Sequence, residues 1–241
     1  METKVFDRVE KKYLLTKEDK SAMLKVIRAH MNHDKYYKSE VLNLYFDNQN
    51  YDLINQSIDW VGFKEKLRAR SYGGYDRVFL EIKTKIKQPE NNVGYKRRVM
   101  ITHEDFEKLL RHEKTMLELA ELSIEKQNDL QIAREVDYFL KHFNLEPKIF
   151  VTYKRESYKG ENDLRITFDE RLRYRNRNLS LKKSKNDKIY FKDDHNIIME
   201  IKANGPLPLW LVEQMSRHKI YPQRFSKVGH VYQQIRKEQN V

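Results

Sequence analysis

The sequence predicts an α+β fold: a closed antiparallel β-barrel tunnel of about eight strands, with a basic lumen and helices packed on the outside. Three observations lead to it. Six stretches alternate charged with apolar residues at the two-residue period of a strand, giving each a basic and an aliphatic face. Amphipathic stretches at helical spacing lie between them. Finally, 48 lysines and arginines outnumber 36 acids, for a net charge of +12. Cations crowded on one face repel one another unless a polyanion or interleaved carboxylates neutralise them. If that face lines a closed barrel, the aliphatic exterior requires covering helices, and the chain supplies them. Such a lumen reverses the small barrel filled by side chains. Its low-dielectric walls focus the field on a bound anion.

The elements follow in order. Phe6 to Leu15 reads as a strand with Arg8, Glu10 and Lys12 on one face and Val9 on the other. Thr16 and Asp19 resemble a capping box, opening a helix to about Met31 with Met23, Val26, Ile27 and His30 at helical spacing. Val41 to Asp47 is a second strand, closed by the turn-forming DNQN. In VGFKEKLRARSY, Lys64, Lys66, Arg68 and Arg70 share a face opposite Phe63, Leu67 and Ala69. Gly73 and Gly74 signal a hairpin. Val78 to Lys85 returns with Glu81, Lys83 and Lys85 opposite Val78, Leu80 and Ile82.

After the PENN turn, Tyr95 to Ile101 sets Lys96 and Arg98 opposite Val99 and Ile101, which places Arg97 on the outward face. Thr102 and Asp105 cap a helix to about Glu113, and a long helical region follows from about Thr115 to Phe143. Ile149 to Tyr158 is a strand with Tyr153 and Arg155 together, turning through KGEND. Leu164 to Asp169 groups Arg165, Thr167 and Asp169. A solvated basic loop, LKKSKND, precedes Asn196 to Ala203, where Glu200 and Lys202 oppose Ile197, Met199 and Ile201. Pro208 suits the first position of a short apolar helix containing Trp210, read as core. Ser226 and Lys227 precede a last strand or helix. No linker divides the chain, so residues 1–241 are expected to form a single domain.

Composition narrows the function. The positive charge points to anionic partners. The absence of cysteine excludes disulfides and thiolate metal sites and fits a reducing compartment. The N-terminus is too charged for a secretory signal, and no run approaches the roughly 20 apolar residues of a membrane span. The expectation is a cytoplasmic protein without a membrane segment. The eight histidines show no metal-ligand spacing.

In this order, RVEKKYLL, FKEKLRARSYGG, VFLEIKTK, YKRRV, VTYKRESY, LRITFD, IIMEIKANGPLPLWL and RFSKVG closely resemble the VTC (vacuolar transporter chaperone) polyphosphate polymerase family. That family lies in the triphosphate tunnel metalloenzyme, or CYTH-like, superfamily. The resemblance runs from about Phe6 to Val231, as in stand-alone bacterial members. It implies basic tunnel residues at Lys12, Arg68, Arg70, Lys83, Arg98, Arg155, Arg165, Lys202 and Lys227, with Tyr153 bonding a phosphate; Lys64, Lys66 and Lys96 extend that face towards the tunnel mouths, and Ser226 is a further substrate-binding candidate. Glu200 would hold Mn2+ or Mg2+, with Glu10 and Glu81 as helpers on the same strand face.

The implied activity is an ATP–polyphosphate phosphotransferase acting on ATP and on phosphate or polyphosphate, with no nucleic acid partner and room for a membrane partner that carries product away. The superfamily's hydrolases open with Glu-x-Glu-x-Lys, whereas this chain has Arg8-x-Glu10-x-Lys12. A cation in place of an acid favours a long polyanion over a second metal. Two other classes fit the residues: a tripolyphosphatase or nucleoside triphosphatase on the same fold, and a non-catalytic polyphosphate-binding module. RNA binding ranks last, because it favours exposed aromatics on an open basic sheet. Glu200, Glu10 and Glu81 also fit plain salt bridges, and Tyr153 fits a wall aromatic.

Overall fold

Alternation at every second residue and apolar stripes at helical spacing shape most of the chain. The computed structural model describes residues 8–59, 62–73, 76–87, 92–123, 127–193 and 195–239. Their elements are β1 (Arg8–Leu15), α1 (Lys17–His30), β2 (Asn32–Asp47), α2 (Asp52–Asp59), β3 (Phe63–Tyr72), β4 (Val78–Lys87), β5 (Asn92–Ile101) and α3 (His103–Leu110). There follow α4 (Met116–Ser123), α5 (Gln127–His142), β6 (Glu146–Lys159), β7 (Arg165–Arg175), β8 (Lys188–Ile189), β9 (Ile197–Asn204), α6 (Leu209–Arg217) and α7 (Lys227–Gln239). The expectations for Phe6, Val61 and Gly74 and for residues 89–91 of the PENN turn lie outside the described residues, as do those for the side chains of Arg8 and Val9.

The chain forms two compact units, each drawn from three separated segments. The first comprises Met1–Glu40, Tyr153–Arg173 and Ile189–Phe225; the second comprises Val41–Thr152, Tyr174–Lys188 and Ser226–Val241. In the first unit β9 pairs antiparallel with both β1 and β7. In the second, antiparallel pairs join β2 to β3, β3 to β4 and β4 to β5. The strand order is β1-β9-β7-β6-β2-β3-β4-β5, with β8 on β7, and the long strands β2 and β6 contribute to both units. The mixed α+β class and the antiparallel sheet stand. The closed barrel is corrected: the order ends at β1 and at β5, with no pairing between them among the described residues. Alternation decides which face of each strand is polar. It carries no information on whether a last strand reaches the first.

Aliphatic faces bury against helices within each unit. In the second, Leu67, Leu80 and Ile82 pack with Phe106 of α3 and Val136 of α5. In the first, Tyr13, Ile166 and Met199 pack with Ile27 of α1 and Leu211 of α6. Each fully buried aliphatic side chain contributes roughly 2 kcal/mol of transfer free energy. Arg97 faces outward as expected, ion-paired with Glu135 of α5.

The capping box is formed: Thr16 Oγ1 accepts from the Asp19 amide at 3.1 Å, and Asp19 Oδ2 accepts from the Thr16 amide at 3.1 Å. Thr16→Ala is therefore expected to lower stability by about 1 kcal/mol in urea unfolding. An unchanged midpoint would contradict that.

Several elements differ from expectation. β2 begins nine residues earlier, at Asn32 rather than Val41, where exposed polar residues give no apolar alternation. α2 was not expected. It is nucleated by buried Asp47, whose carboxylate accepts from the Leu53 and Ile54 amides at 3.1 and 2.8 Å. Pro208 is the N-cap of α6 rather than its first residue; of the two readings of the last element, strand or helix, the helix is the one formed. The basic loop after β7 is not simply solvated. It wraps the Arg175 guanidinium, which donates to the carbonyls of Asn178, Ser180 and Lys182 and to Asp187.

Candidate functional site

The polar strand faces carry the candidate residues, one set in each unit. In the first unit, the β1–β9 register sets Glu10 opposite Lys202 and Lys12 opposite Glu200; the β7–β9 register sets Arg165 opposite Lys202 and Thr167 opposite Glu200. Glu10, Lys12, Arg165, Thr167, Glu200 and Lys202 thus share one face. Lys202 Nζ lies 2.8 Å from Glu200 Oε1 and 3.7 Å from Glu10 Oε2. Lys12 Nζ lies 3.6 Å from Glu10 and donates to the Phe225 carbonyl at 3.1 Å.

On β6, Arg155 donates from Nε and Nη2 to the two oxygens of Asp169, at 2.6 and 2.7 Å, and its guanidinium lies 5.3 Å from the ring of Tyr153. Asp169 is 1% exposed. Burial alone would discharge Arg155, but Asp169, Tyr153 and Glu200 outweigh it and raise its pKa well above the ordinary value. Arg165 Nη2 reaches Asp34 at 2.8 Å.

The second unit repeats the device. Arg68 donates from Nε to Glu81 Oε2 at 2.7 Å, with Nη2 also at 2.7 Å, and from Nη1 to the Tyr45 hydroxyl at 3.4 Å. Lys96 is ion-paired with Oε1 of the same carboxylate, and Arg70 Nε stands 4.0 Å from Oε2. Arg70 also donates to Asn43 at 2.9 Å. Glu81 is 1% exposed. Burial pushes its carboxyl up, but Arg68, then Arg70 and Lys96, bring it down to about 2.

Register sets Lys66, Lys83 and Lys96 abreast on β3, β4 and β5, with Lys64 opposite Lys85. Like charges directly opposite destabilise a sheet, so a face built this way is suited to an anion. Arg98 stacks 5.0 Å from the Phe79 ring. Lys227 opens α7 immediately after Ser226, whose hydroxyl accepts from Lys66 at 3.2 Å.

The predicted residues therefore gather as two sets. Glu10, Lys12, Tyr153, Arg155, Arg165, Glu200 and Lys202 belong to the first unit. Lys66, Arg68, Arg70, Glu81, Lys83, Lys96, Arg98, Ser226 and Lys227 belong to the second. The salt bridge weighed for Glu200 is present, with Lys202. Sequence reasoning assigned no role to Asp34, Asn43, Tyr45 or Asp169, the groups that hold the arginines. Alternation within VLNLYFD and RITFD was the available signal, because it puts Asn43, Tyr45 and Asp169 on polar faces.

Among the described residues, no three His, Asp or Glu side chains gather as a metal-binding group. Glu10 and Glu200 nevertheless converge on one cationic centre, the Lys202 ammonium. A magnesium-type ion commonly uses one or two carboxylates and fills its shell with water and phosphate oxygens. Glu81 is instead committed to Arg68 and Lys96. No helix among the described residues is long and apolar enough to cross a membrane.

Comparison with known proteins gives a family and a fold. The VTC domain profile matches residues 7–236. No curated protein matches. Among solved structures, HpAC1 of Hippeastrum, named as an adenylyl cyclase and described with a dominant triphosphatase activity, superposes with a TM-score of 0.55 at 17% identity, over 92% of this chain and 93% of that one. PH1819 of Pyrococcus horikoshii OT3 gives a TM-score of 0.46 at 14% identity, over 94% and 99%.

Proposed function

The chain belongs to the VTC domain family, and from that premise we propose that it is a metal-dependent polyphosphate polymerase using ATP. One observation supports this most. Arg155 is seated on a buried carboxylate that consumes only part of its donor capacity. Asp169 takes two of Arg155's five N–H groups, leaving the others for phosphate oxygens. Arg175 offers the contrast: carbonyls and Asp187 take every arm of its guanidinium, as in a structural arginine.

Phosphoryl transfer asks mainly for positioning and charge neutralisation. In the first unit Arg155 and Arg165, and separately in the second Arg68 and Arg70, are the guanidinium groups that contact phosphate oxygens, in a planar geometry that lysine cannot reproduce. Lys12, Lys66, Lys83, Lys96, Lys202 and Lys227, with Arg98, neutralise the remaining charge, and Tyr153 and Ser226 add hydroxyl contacts. Glu200 with Glu10 fits a bound Mn2+ or Mg2+, which supplies neutralisation of the nucleotide phosphates. A terminal oxygen of the polyphosphate chain attacks the γ-phosphorus of ATP. The bond from that phosphorus to the β–γ bridging oxygen breaks, and ADP leaves with the electron pair. The attacking oxygen is already anionic near neutral pH, so the step needs no general base.

A second reading is hydrolysis of tripolyphosphate or a nucleoside triphosphate, favoured by the triphosphatase activity described for HpAC1 on this fold. The test is purified protein with ATP and Mn2+, resolved on a gel stained for polyphosphate. Long-chain product with stoichiometric ADP is expected. Release of inorganic phosphate alone would assign the hydrolase, and no turnover with retained polyphosphate binding would assign a binding module.

A further inference from the structure

Arg165 and its neighbourhood are left incompletely satisfied. Its Nη2 donates to Asp34 Oδ2 at 2.8 Å, but its Nε is buried without a hydrogen-bond partner. Two residues along the same face, the Thr167 hydroxyl is likewise buried and without a partner. Buried donors of this kind are costly and uncommon in folded proteins. Asp34 is also an unlike seat from that of Arg155. Asp169 is fully enclosed and takes Nε and Nη2 as a fork, whereas the Arg165 and Asp34 side chains are 43% and 21% exposed and only one arm is engaged.

We infer that Asp34 is an internal competitor for the substrate: it holds Arg165 in the resting protein and yields it to a bound phosphate chain. The inference rests on the phosphate-binding reading above. A phosphate group presents enough acceptor oxygens to take Nε and Nη2 together, supplying the bond that Asp34 leaves unmade. The Thr167 hydroxyl, unpartnered two residues along the same face, is available for a further phosphate contact. Because the ion pair is partly solvated, little is lost in breaking it. Asp34 thus sets how tightly the polyanion binds without itself touching it.

The test is calorimetric titration of the full chain with tripolyphosphate, without metal or nucleotide. Asp34→Asn keeps an Oδ1 acceptor for the Lys35 amide, which Asp34 now bonds at 2.7 Å. It is expected to bind about two- to fivefold tighter than the wild type, the gain expected from removing a partly exposed ion pair. Glu18→Gln changes the net charge equally from an exposed site on α1, and is expected to leave affinity nearly unchanged. In an Arg165→Gln background, Asp34→Asn is expected to have no effect. Should Asp34→Asn not fold, Asp34→Ser carries the same expectation. Unchanged or weaker binding, or a gain that persists without Arg165, overturns the role of Asp34 while the phosphate site stands. A wild-type protein that does not bind tripolyphosphate overturns both.

Discussion

Glu81→Gln is expected to lower the unfolding free energy at neutral pH by roughly 3 kcal/mol, the equivalent of bringing a carboxyl from 4.5 to about 2. The side chain is buried, so solvent screening does little to reduce that figure. Its folded pKa lies below its unfolded one. The stabilisation is therefore complete above about pH 4.5 and disappears as pH falls toward 2. Glutamine retains the shape but leaves Arg68 and Lys96 around a neutral group, and a buried pair broken from one side is strongly destabilising. Urea unfolding of both proteins from pH 7 down to pH 3 should show the gap between them narrowing with acid. A gap of constant size would mean that Glu81 does not anchor the three cations.

That anchoring was only half visible in the sequence, for a physical reason. Alternation at period two correctly put Arg68, Glu81 and Arg98 on one face, and the register pairs them across β3, β4 and β5. It also put Arg97 on the other face, against Glu135. What alternation cannot express is which strands become neighbours. Asn43 and Tyr45 meet Arg70 and Arg68 because β2 pairs with β3 in one register, and no local feature of VLNLYFD specifies that partner. Asp34 was harder still. It lies in the polar first half of β2, so that part of the strand escaped detection. α2 was missed because its first amides are satisfied by Asn48 and Asp47, four and five positions before the helix begins. Closure of the sheet failed as an expectation on the same ground: it depends on pairing between distant segments, not on the faces of any one of them.

Arg155→Lys should separate charge from geometry at the point where the proposed chemistry depends on both. Lysine keeps a cation beside Asp169, so the buried carboxylate remains paired and the fold is expected to persist. It cannot fill both oxygens of Asp169 in a fork and present further N–H groups in a fixed plane. Loss of a preorganised donor to developing charge commonly costs about 100-fold in rate, and ATP-dependent polyphosphate synthesis is expected to fall by about that factor in kcat/KM. Arg175→Lys is the matching control. Every arm of that guanidinium serves the loop from Asn178 to Asp187, so its replacement is expected to lower thermal stability and leave kcat/KM per folded molecule unchanged. If Arg155→Lys retains activity within threefold of the wild type, the buried carboxylate under Arg155 is there to neutralise a charge, and the arginine is not a phosphate clamp.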